Sequence, residues 1–108
     1  MLTKSELPSK RNYRLLFVPS AWTEWRSLDN SVKVPLRKIL KKRLDVPHVP
    51  GGALHGDLKG YYKITLKAAG IRLVYGVDEI AKAVIVMAVD RREDSLVYRS
   101  ALARRRRS

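Results

Sequence analysis

Cysteine is absent from the 108 residues, which excludes disulfides and thiolate metal sites and removes any need for an oxidising compartment. Histidine is nearly absent, with only His48 and His55 to serve as imidazoles, and neither metal-ligand spacing nor a glycine-rich phosphate loop accompanies them. No segment approaches the ~20 apolar residues of a membrane span. The opening "MLTKSELPSKRNYRLLF" has no apolar run long enough for a signal peptide. These absences point to a cytoplasmic protein that uses no membrane, metal or cofactor. Acid is scarce as well: ten Asp and Glu stand against 23 Lys and Arg, a formal charge of +13.

That excess belongs to the fold as much as to the ends. Setting aside Arg104 to Arg107 and the first twelve residues still leaves a body of about +7. A cationic surface on a small soluble protein draws polyanions, of which nucleic acid is the commonest. The 45% apolar content is enough for one modest core at this length, so global disorder and a second domain are both disfavoured.

Residues 1–12 are polar, contain Pro8, and read as a flexible leader; 13–103 read as a single domain and 104–108 as a basic tail adding nonspecific phosphate affinity. "NYRLLFV" is a strand pattern from about Tyr13 to Val18, closed by Pro19. "PSAWTEWRSL" suits a short helix with Trp22 and Trp25 as core residues. In "DNSVKVPLRKILKKRLDVP", Val32, Leu36, Ile39, Leu40 and Leu44 form one helical stripe, with Pro35 expected near the first turn. Its other face carries Lys33, Arg37, Lys38, Lys41 and Lys42, either a solvated face or a surface for a polyanion or an acidic partner. Pro47, Pro50, Gly51 and Gly52 make a loop.

Three closely spaced strands follow, "YYKITLK", "IRLVYGV" and "AVIVMAV", with turns at Ala68 to Gly70 and Asp78 to Lys82, which is an antiparallel meander. Tyr62, Ile64 and Leu66 share one face of the first; Lys63, Thr65 and Lys67 share the other. The end of the chain, with Leu96, Val97, Ala101 and Leu102, has helical character. The expected fold is α+β: an antiparallel sheet of about four strands, two N-terminal helices on one face and a short C-terminal helical segment. If the open face adjoins the final segment, Lys63, Arg72, Arg91, Arg92 and Tyr98 converge. Spacing alone equally allows a solvated sheet face and a Tyr98 that merely packs.

"LHGDLKGYYKITLKAAGIRLVYGV" followed by "AVDRREDSLVY" resembles the RelE family of bacterial toxins. Its pattern is a Leu-Arg-Gly turn, a Tyr-Lys-Ile strand, a Gly-aromatic-Arg-Leu-Val-Tyr strand, and a late Arg with a Tyr six residues on. The likeness runs from about Tyr13 to Ala101 and includes "EWRSL". It implies a RelE-like microbial ribonuclease fold and the toxin of a toxin-antitoxin system. Such a toxin cuts messenger RNA in the ribosomal A site and is silenced by a RelB-type antitoxin, with further assembly on operator DNA. By position it assigns the catalytic roles to Lys63, Arg72, Arg92 and Tyr98. His55, Lys67, Arg91, Lys38, Lys41 and Lys42 are left to contact RNA and the ribosome. Thr65 stands where the family has a second lysine, and His55 where it has the arginine of the turn. Alternatives are a same-fold toxin with another target, such as the gyrase inhibitors related to ParE, and a noncatalytic RNA- or ribosome-binding module.

The implied chemistry needs no metal. The RNA's own 2′-hydroxyl attacks the adjacent phosphorus, so a base must take its proton, cations must hold the doubly charged pentavalent centre, and the leaving 5′-oxygen must be protonated. The products are a 2′,3′-cyclic phosphate and a 5′-hydroxyl. Arg72 and Arg92 suit the clamp because a guanidinium holds two phosphate oxygens at once. Lys63 is the preferred base, since neighbouring cations disfavour the charged form of a lysine. Tyr98 stacks on a base or orients the 2′-hydroxyl.

Overall fold

A computed structural model describes the backbone of residues 3–4, 12–90 and 94–107. Five strands run β1 (Thr3–Lys4), β2 (Arg14–Phe17), β3 (Tyr61–Leu66), β4 (Ile71–Asp78) and β5 (Ala83–Asp90), with helices α1 (Pro19–Arg26), α2 (Asn30–Asp45) and α3 (Asp94–Arg107). They form one sheet in the order β1-β2-β5-β4-β3. The β3-β4-β5 meander is antiparallel as expected, whereas β2 joins β5 in parallel, from Arg14 opposite Ala83 to Phe17 opposite Val86, so the sheet is mixed. The reason is topological: α1, α2 and two strands intervene, and β2 fills the edge that the meander leaves on β5. Thr3 and Lys4, within the expected leader, pair with Leu16 and Phe17.

Helices α1 and α2 lie on one face. Phe17 packs edge-on to Trp22, with ring centroids 5.1 Å apart, and tilted against Trp25 at 5.6 Å. The α2 stripe of Val32, Leu36, Leu40 and Leu44 is buried, each leucine contributing roughly 1.5–3 kcal/mol on transfer from water. Helix α2 continues through Pro35 in its second turn, one turn later than the sequence suggests, giving up only the hydrogen bond that a residue there would have made to the carbonyl of Ser31. Helix α3 packs on β4 and β5, burying Val97 and Ala101, and the Arg105 charge reaches Tyr61 on the face opposite α1 and α2.

Two turns shape the meander. Gly70 closes β3 to β4 in the left-handed region (φ 65°), where a Cβ would be strained. The β4–β5 turn is held by the Asp78 carboxylate, which accepts from the backbone N–H groups of Ile80 and Ala81 at 3.0 Å each.

Candidate active site

Register decides which strand residues meet. Lys63 stands opposite Val74, and Thr65 opposite Arg72, so Lys63 and Arg72 are diagonal neighbours on one face, at a spacing of about 7–8 Å. Tyr61, opposite Gly76, shares that face. Asp90 stands across from Arg72 on β5, an opposite-charge cross-strand pair. Lys63, Thr65 and Arg72 are half-buried, and Val74 and Ala88 beside them are buried. Tyr98, half-buried, follows the buried Val97 on α3 and packs against the core. Arg91 and Arg92 lie outside the described residues.

Of the other sequence-selected residues, the α2 lysines lie in another layer, while His55 and Lys67 lie in the turns on either side of β3. Lys38, Lys41 and Lys42 are exposed on α2, in the layer across the sheet from Lys63. His55 is exposed at the start of the short turn Gly56–Leu58, and Lys67 is exposed in the turn Lys67–Ala69 beyond β3. The structure therefore carries two separated basic regions.

The two-residue period of β3 puts Tyr61 on the Lys63 face as well. Its ring lies over Gly76, where a Cβ would come within 2.8 Å of it. Burial pushes the phenol of Tyr61 up in pKa, with the Arg105 charge pulling the other way. The arginine run expected as a tail lies in α3. There Arg104 forks onto Glu24 of α1 with Nη1 at 2.8 Å and Nη2 at 3.1 Å. Glu24 also accepts from the N–H of Val89 at 3.1 Å, and Arg104 donates to the carbonyl of Met87 at 2.9 Å. The pairing of β2 with β5 stops at Val86, so this ion pair takes up β5 edge groups that a longer β2 would have satisfied. Eighty positions separate the two partners, and nothing local in the sequence marks them.

A second polar cluster sits on the α2 side. Glu79 accepts hydrogen bonds from His48 Nε2, from the Tyr13 hydroxyl and from Lys82. These donors, His48 first, hold its carboxyl at about 2, well below the usual 4.5. His48 Nδ1 lies 2.9 Å from the Tyr62 hydroxyl, and Tyr62 stacks on Tyr75. The buried Tyr75 hydroxyl donates to the carbonyl of Pro47 at 2.7 Å and accepts from Arg43 at 2.9 Å. Desolvation raises its pKa, partly offset by Arg43.

No family model matches the chain. A RelE-like toxin protein of Escherichia coli is 43% identical over 94 residues, covering 87% of this chain and 98% of its own length. The mRNA interferase toxin RelE of Escherichia coli is 39% identical over 92 residues, covering 85% and 96%. Among solved structures, a chain of the intact Escherichia coli RelBE toxin-antitoxin complex superimposes with a TM-score of 0.71 at 37% identity, over 75% of this chain and 98% of that one. Identity at this level over nearly the whole of each relative, on the same fold, means that the chain belongs to the RelE family of toxins.

Proposed function

We propose that this protein is the toxin of a toxin-antitoxin pair, an endoribonuclease that cuts messenger RNA in the ribosomal A site and so halts translation. The observation that carries the reading is the diagonal placement of Lys63 and Arg72 on one sheet face, in a RelE-family chain. Lys63 takes the 2′-hydroxyl proton. Arg72 and Arg92 hold the non-bridging oxygens of the pentavalent centre, Arg92 being assigned by its match to the family's late arginine six residues before Tyr98. Tyr98 stacks on a base or orients the attacking hydroxyl. The P–O5′ bond breaks as the P–O2′ bond forms, and the leaving 5′-oxygen, its charge stabilised by Arg92, takes a proton from water, giving a 2′,3′-cyclic phosphate and a 5′-hydroxyl.

The α2 lysines Lys38, Lys41 and Lys42 face away from this chemistry, which suits backbone contacts to ribosomal RNA. His55, Lys67 and Arg91 line the approach of the message. The partner is a RelB-type antitoxin, as for the relative solved in a RelBE complex, with further assembly on operator DNA. The site of action is the cytoplasm; among the described residues no helix is long and apolar enough to cross a membrane.

The test is 3′-end mapping of a defined message with and without programmed ribosomes. Wild-type protein is expected to produce new ends only with ribosomes, and Lys63→Ala to lose them while remaining folded. An intact message under conditions where the protein binds ribosomes would refute the reading in favour of a binding module.

A further inference from the structure

Strand β3 is the outer strand of the sheet, and its inner edge is fixed by β4 from Tyr61 to Leu66. The loop before it supports the outer edge. Ala53 bridges to Tyr62, and the Leu54 N–H donates to the carbonyl of Tyr61 at 2.9 Å. One residue earlier, Gly52 is buried against the backbone of Lys63. A Cβ built there would stand 2.8 Å from the Lys63 carbonyl oxygen and 3.8 Å from its nitrogen, with Arg43 Nη1 at 3.5 Å. Gly52 does not adopt a left-handed φ, so it is space and not backbone conformation that requires glycine.

The turn that presents Gly52 is itself braced. The Gly52 N–H donates to Val49 at 2.9 Å and the Ala53 N–H to Pro50 at 3.2 Å, while the ring of Pro50 fixes φ at the turn's first residue. Behind it, Arg43 is anchored on the Tyr75 hydroxyl, which is bonded in turn to Pro47. A rigid wedge therefore runs from α2 and the core to the peptide of Lys63. We infer that Gly52 is a positioning residue: its turn sets the placement of Lys63 relative to Arg72 by direct contact with the Lys63 backbone. The inference rests on the reading of Lys63 as the base.

Gly51 supplies a matched control, being exposed with nothing within 4 Å of a built Cβ. Single-turnover cleavage on programmed ribosomes, ribosome affinity and the thermal midpoint are measured for Gly51→Ala, Gly52→Ala, Lys63→Ala and the Gly52→Ala/Lys63→Ala double variant. Gly51→Ala is expected to cleave as wild type. Gly52→Ala is expected to lose about 10- to 100-fold in rate, as a displacement of under 1 Å at a reacting group can produce, with ribosome affinity unchanged. In the Lys63→Ala background the same substitution is expected to change the residual rate less than twofold.

A full Gly52→Ala loss in that background, or wild-type cleavage by Gly52→Ala, overturns the positioning role while leaving the base assignment intact. Wild-type cleavage by Lys63→Ala refutes the base assignment and the inference with it. Should Gly52→Ala fail to fold, Pro50→Ala carries the test, loosening the turn without adding an atom near Lys63. A rate lowered about threefold at unchanged affinity supports the inference, and an unchanged rate overturns it.

Discussion

On the side of the meander that faces α1 and α2, Tyr62 stacks on Tyr75, the Tyr75 hydroxyl is matched to Pro47 and Arg43, and Glu79 gathers three donors. On the other side, two residues along the same strands, Lys63, Thr65 and Arg72 stay half-exposed around the buried Val74. The difference follows from solvation. A polar group buried under a helix, as the Tyr75 hydroxyl is, must find a partner or cost stability, whereas Lys63 and Arg72 lie at the boundary of water, where a charged head stays within reach of solvent. One sheet thus separates a face whose buried polar groups are matched inside the fold from the face proposed to meet RNA.

Substitutions should divide the same way, and the largest effect belongs to the cationic face. Arg72→Ala is expected to slow ribosome-dependent cleavage about 10²- to 10³-fold, the usual loss for one donor to a developing charge, as read by single-turnover assay. Next comes Glu24→Ala, which removes the carboxylate that accepts from the Arg104 guanidinium and from the Val89 N–H. The side chains are 18% and 29% exposed, and the expected destabilisation is about 2–3 kcal/mol by denaturant unfolding. Tyr75→Phe removes one buried hydroxyl and strands the Pro47 carbonyl, for about 1–2 kcal/mol.

The smallest effect lies at Glu79. Its carboxyl is held at about 2 in the folded protein against a usual 4.5. The lowered folded value means that its contribution is present above about 4.5 and is lost as pH falls toward about 2. Glu79→Gln should flatten that stretch of the acid-unfolding curve. A mutant curve superimposable on wild type would dismiss the cluster as a contributor.

Much of this was legible in the residues themselves. The strand faces that hold Lys63 and Arg72 apart from Ile64 and Leu73 follow from a period of two, and the turn at Gly70 follows from glycine chemistry. What escaped depends on contacts across long stretches of chain. The parallel union of β2 with β5 joins residues some seventy positions apart. Glu24 and Arg104 find each other only because β2 ends early, which turns part of an apparent tail into a clamp. Gly52 looked like one more loop glycine until the fold pressed it against Lys63. His48, unremarkable in sequence, gains its partners from β3 and the β4–β5 turn.

The division between the two faces is tested most directly by measuring cleavage rate and thermal midpoint side by side for Arg72→Ala and Tyr75→Phe. The account predicts a crossed result: Arg72→Ala loses at least about 100-fold in cleavage with its midpoint lowered only by the loss of its cross-strand pairing with Asp90, and Tyr75→Phe melts earlier yet keeps its cleavage rate below the transition within about threefold of wild type, the loosening of the Arg43 brace behind Gly52 being its one cost to the site. Wild-type cleavage by a folded Arg72→Ala protein, or a loss of rate that merely tracks a collapsed midpoint, would contradict it.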